Sequence, residues 1–230
     1  MHIEPHIVTG AKLALSYGTA AVALGGAMKL TYDHIRAQGL ASLLLKGLLA
    51  TVAVFVFFEV FFHHPVGVSE VHLILGTSLL LILGAAPAAL GLAAGLLLQG
   101  FLMAPADLPQ YGMNVTTLLV PLFALTYYAR RVVPAGQAYV DLRYRQVLPL
   151  SILYQGGIIA WVAFWALYGQ GFNAANLAAV GSFGLAYLSV IVLEPLADLA
   201  VLALAKGLRN AQAHPMTGLL LNRRLFQGDD

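Results

Sequence analysis

The chain is poor in charge. Only 10% of its 230 residues are Asp, Glu, Lys or Arg, against about 25% in soluble domains, and 60% are apolar. With a mean hydropathy of +0.83, that shortage excludes an ordinary soluble fold and points to a polytopic membrane protein. Cysteine is absent altogether, which removes both a disulfide framework and a thiolate metal site, so any metal must be held by nitrogen and oxygen donors. A net charge of +2 is too small for a polyanion-binding surface, and no nucleic-acid partner is expected. His-Glu-x-x-His, Gly-x-Ser-x-Gly and Walker-type loops are all missing, so neither peptide cleavage by a known pattern nor ATP binding is expected of this chain. No basic stretch precedes the first apolar run. Glu4 and Pro5 stand there instead, and Met1 is expected to stay in the mature protein.

What is present is apolar helix. Allowing about 20 residues per crossing, the length suits one compact bundle of six to eight spans. The runs predict helices over Ala11–Leu30, Leu43–Phe62, Val71–Gly84, from Pro87 to Met103, up to Ala129, Val147–Tyr168 and Leu177–Lys206, the last with a kink at Pro195. The third of these reaches only about 21 Å at 1.5 Å per residue, so part of the 63–70 loop must sit within the membrane or the helix must stop early. Eleven of the twelve Lys and Arg residues then fall on one side. By the positive-inside rule that side is cytoplasmic, giving an all-α bundle of about seven transmembrane helices with the N-terminus outside and the C-terminus cytoplasmic. Three parts are expected: an N-terminal segment (1–10), a helical domain (11–206) and a cytoplasmic tail (207–230) that leans onto the membrane surface. In the first helix Ala23-xxx-Ala27, with Gly25 and Gly26 between, is a close-approach face, for a neighbouring helix of this chain or for a partner.

The topology gathers His2, His6, His63, His64 and His72 at the outer mouth. With a free N-terminus, the Met1 amine, the His2 backbone nitrogen and the His2 ring nitrogen close a five- and a six-membered chelate ring on one metal ion. A fourth imidazole completes a square plane, as Ni(II) and Cu(II) favour, and an added axial ligand suits Co(II). His72, at the outer start of the third helix, is placed to supply that imidazole; His63, His64 and His6 are the alternatives. Glu59 and Glu70 either orient imidazoles or reach for the interface. Gln99 and Asn114 either bind the N-terminal segment or satisfy irregular backbone. Glu194 and Asp198 share a helix face, open to a cytoplasmic partner or forming a polar face beside the kink.

Met1-His2-Ile3, a histidine opening a helix before a Gly/Pro break, Leu98-Gln99-Gly100-Phe101-Leu102, Gly112-x-Asn114 and the interval from His72 to Gln99 together resemble the CbiM/NikM substrate-capture subunits of energy-coupling-factor importers. The resemblance implies that the Met1 amine, the His2 backbone nitrogen and ring, and the His72 ring bind Co2+ or Ni2+ as transported substrate, with no permanent cofactor. It also implies a transmembrane scaffold (T) subunit and cytoplasmic ATPase subunits, a small accessory membrane subunit among the candidates, and residence in a bacterial inner membrane. On this reading the chain is not an enzyme. The alternative is an intramembrane metalloenzyme using His63, His64 and His72, with Glu59 or Glu70 as base and an open metal position.

Overall fold

The structure, a computed structural model, describes residues 3–61, 63–207 and 219–228. Among the described residues seven helices form a nearly all-α bundle: α1 (Leu13–Gln38), α2 (Leu40–Glu59), α3 (Gly76–Leu83), α4 (Ala85–Leu102), α5 (Tyr111–Val132), α6 (Tyr144–Gln170) and α7 (Ala174–Gly207). All but α3 are long and apolar enough to cross a membrane. The polar stretches that read as loops carry single 3-10 turns at Pro105–Gln110 and Tyr139–Asp141. Gly39 joins α1 to α2 at φ +84°, and its N–H closes on the Ile35 carbonyl at 2.9 Å.

The expected helix over Val71–Gly84 is only half formed. Between α2 and α3 the chain makes an antiparallel hairpin, β1 (His64–Val66) and β2 (Ser69–Val71), and then runs without helix from His72 to Leu75. Four non-helical residues at up to ~3.3 Å each and eight helical ones at 1.5 Å cover at most about 25 Å. The broken segment therefore takes the place of a seventh span. It runs down the side of α7: the Gly67 turn abuts Ala179, Tyr187 points at the His72 carbonyl, Leu75 bonds Glu194, and Ser78 bonds Asp198.

The bundle is apolar outside and partly polar within. Val22, Leu48, Leu185, Val192 and Leu204 are exposed, while Ser151, Gln155, Glu194 and Asp198 are buried. Lipid tails reward such an exterior, and an interior carboxylate survives there only with partners. Glu194 and Asp198 therefore do not face a cytoplasmic partner; they close the inside of the bundle. The small-residue face of α1 is likewise used within the chain: Ala23 and Ala27 are buried, and Gly26 lies against the Phe123 ring.

The tail also departs from expectation. Rather than lying on the membrane surface, its described part turns into the end of the bundle that carries Arg130 and Gly84. The Asn222 N–H donates to the Ile82 carbonyl at 2.6 Å and its side-chain amide to those of Leu81 and Leu80, satisfying the last turn of α3, while Arg224 donates to the carbonyls of Val133 and Pro134. Asn222 thereby supplies donors to the C-terminal carbonyls of α3, the end of a helix whose acceptors lack intrahelical donors.

α2 and α4 approach closely because α4 presents glycine: a Cβ at Gly91 would lie 2.3 Å from Ala50 Cβ, and one at Gly95 2.7 Å from Val54 Cγ1. Overpacking such a contact costs about 1–3 kcal/mol. Gly91→Leu is expected to lower the thermal unfolding midpoint in detergent, whereas Gly18→Leu, on an open face of α1, is expected to leave it unchanged.

Candidate metal-capturing site

The site is built on the hairpin. Antiparallel pairing sets Pro65 opposite Glu70 and Val66 opposite Ser69, and the turn needs Gly67, which has φ +62° and would carry a Cβ 2.1 Å from the Ala179 carbonyl oxygen. Side chains two apart on a strand share a face. Glu70 and His72 do so, and their Oε2 and Nε2 atoms are 2.9 Å apart. His72 is 2% exposed. Its ring stacks on His63 (centroids 5.2 Å, interplanar angle 12°) and meets the Phe58 ring edge-on at 5.3 Å.

The Glu70 carboxylate, a quarter of whose side chain is exposed to solvent, accepts from the His72 ring. Nε2–H directed at Glu70 leaves the ring lone pair on Nδ1, the tautomer a carboxylate partner imposes on a metal-binding histidine.

The N-terminal segment is laid into the same place by backbone bonds. Met1 and His2 lie outside the described residues. Ile3 is buried; it forms an antiparallel bridge with Ser69, and its N–H donates to Asn114 Oδ1 at 2.9 Å. The Glu4 N–H reaches the Val68 carbonyl at 3.3 Å, and the side-chain amide of Gln110 donates to the Pro5 carbonyl at 3.1 Å. Gln170 donates to the carbonyls of His6 and Ile7. Gly169 makes room for that contact, since a Cβ there would sit 2.0 Å from the Ile7 oxygen. Residues 3–4 thus join the hairpin at its Val68–Ser69 corner, three residues before His72.

Of the sequence-selected residues, His63, Glu70 and His72 come together, and Asn114 holds the N-terminal segment. His64 opens β1, exposed; His6 is exposed with only its carbonyl held by Gln170; Glu59 is half-buried at the end of α2. Gln99 is buried in α4, and its Oε1 has no hydrogen-bond partner among the described residues. Among the described residues no three His, Asp or Glu side chains group as a metal cage. Ser69, Gln110 and Gln170 were not singled out from the sequence. Nothing in their spacing separates them from polar residues that merely end helices.

Fold and site together define an integral-membrane helical component whose own N-terminal segment is pinned onto a hairpin that leads into a buried histidine. A family model described as the cobalt uptake substrate-specific transmembrane region matches residues 2–211, and the chain belongs to that family. It is a transport component. No curated protein and no solved structure matches the chain.

Asn114→Ala would leave the buried Ile3 N–H unpaired at a cost of about 1–3 kcal/mol, and is expected to speed amide exchange over residues 3–8 as seen by hydrogen–deuterium exchange.

Proposed function

We propose that this chain is the substrate-capture subunit of an energy-coupling-factor importer, taking Co2+ or Ni2+ at the outer face of a bacterial inner membrane. A transmembrane scaffold subunit and cytoplasmic ATPases would drive its inward release. The observation that carries the reading is the seating of Ile3 on Asn114 and Ser69, because it brings the residue that follows His2 onto the hairpin bearing His72. His2 is the neighbour of Ile3 in the chain, and consecutive Cα atoms lie about 3.8 Å apart. A chelate made by the Met1 amine and the His2 backbone and ring nitrogens then needs one imidazole to close a four-nitrogen set, and His72 is the buried, carboxylate-oriented one. Such a set serves both metals; a square plane favours Ni(II) and an added axial donor favours Co(II). His63, stacked on His72, shields the ring from solvent.

The test uses metal uptake and metal content together. Double replacement His2→Ala with His72→Ala is expected to abolish uptake, and one extra residue ahead of Met1 is expected to empty the purified protein of Co2+ and Ni2+. Wild-type uptake by the double variant would end this reading. Full metal content in the extended protein would remove the terminal amine from the ligand set and favour an imidazole-only site.

A further inference from the structure

Where the broken segment meets α7, the bundle holds two carboxylates bonded only to neutral groups. Glu194 and Asp198 are fully buried and one turn apart. Glu194 accepts from the Leu75 N–H at 2.5 Å and from the side-chain amide of Gln155; Asp198 accepts from Ser78 Oγ and Ser151 Oγ, each at 2.5 Å. Among the described residues the ion pairs are Lys29–Asp33, His72–Glu70 and Lys206–Asp141, none of which touches this pair. The N-terminus of α3 contributes roughly half a positive charge against two negative ones. The remainder, at membrane depth, requires either protons or a cation.

Further oxygens point to the second. Gln155 spends its amide nitrogen on Glu194, and its Oε1, fully buried beside that carboxylate, has no hydrogen-bond partner among the described residues. The Tyr154 hydroxyl is also fully buried and without one. Its ring presses on Gly76, where a Cβ would lie 2.3 Å from Cζ, so its hydroxyl-bearing end abuts the first residue of α3, between Leu75 and Ser78. Tyr154 also lies within electrostatic range of Glu194. Carboxylate, amide and phenol oxygens are thus buried together where α6 and α7 meet the start of α3.

We propose that Glu194 and Asp198, with the Gln155 and Tyr154 oxygens, form an intramembrane site for a divalent cation, separate from the His72 site. An all-oxygen donor set is hard. It suits Mn2+, Mg2+ or Ca2+ and holds Co2+ or Ni2+ more weakly than amine and imidazole nitrogens do. The site lies inward of His72: Tyr187, whose hydroxyl is 3.5 Å from the His72 carbonyl, precedes Glu194 by seven helical residues, about 10 Å. A weaker site one step inward of a tight one is what a transported ion needs in order to leave, and interrupted helices at mid-membrane are where transporters place such sites. That use as a way-station rests on the capture reading; the cation binding itself does not.

The experiment uses the full chain in detergent at neutral pH, with Mn2+ as probe, followed by loss of the free-ion EPR signal. The parent and His72→Ala should both bind about one Mn2+, and Glu194→Gln with Asp198→Asn should weaken binding about tenfold or more. Pulsed EPR on the parent itself should show no 14N coupling from imidazole, a readout that needs no folded variant. Absence of saturable Mn2+ binding, binding unchanged in the Gln/Asn variant, or imidazole coupling on the bound ion would each overturn the proposal. The first of these outcomes would make the pair a protonated structural contact. Failure here leaves the His2 and His72 uptake test untouched, so the two readings stand or fall separately.

Discussion

A peptide N–H inside a membrane must find an acceptor, and the N–H of Leu75 finds the Glu194 carboxylate. Everything about the candidate site depends on that bond. Non-helical backbone at membrane depth is tolerated only where protein satisfies it, and the stretch His72–Leu75 is such a place. Leu75 is the one non-glycine residue at positive φ among those described, at +54°. Because the carboxylates of α7 and the amide of Asn222 hold α3 at its two ends, eight helical residues can stand in for a full span, and His72 sits at the top of the break.

The outer end is a matter of backbone pairing as much as of side chains. Residues 3–7 are held mainly through main-chain groups, by Asn114, Val68, Gln110 and Gln170. Such a fastening fixes Ile3 beside the hairpin through backbone groups rather than through the identity of its neighbours' side chains. Glycine lets chain touch chain at two points here, Gly67 against α7 and Gly169 against Ile7.

One physical theme links both ends of the broken segment. At the top a carboxylate, Glu70, addresses an imidazole; ten or so ångströms inward two carboxylates address hydroxyls, an amide and backbone. Donor hardness increases along that line, from nitrogen to oxygen, while the surrounding exterior stays uniformly apolar. A polar column inside a lipid-facing shell is the arrangement expected of a protein that moves an ion rather than one that anchors in the bilayer.

Hydropathy and basic-residue asymmetry were enough to read a polytopic helical bundle and the placement of most helices, because length and apolarity alone decide what can span. The nearness of His63 to His72 was also legible, since both fall at the same end of the helices that flank them. The hairpin, the half-length α3 and the inward turn of the tail were not, because each exists through long-range hydrogen bonds: Ile3 to Asn114, Leu75 to Glu194, Asn222 to Leu81. Glu194 and Asp198 show the limit most clearly. Their i, i+4 spacing placed them on one face of a helix, but a helix periodicity cannot say which face looks inward, and only the packing of α7 against α3 and α6 made that face the interior.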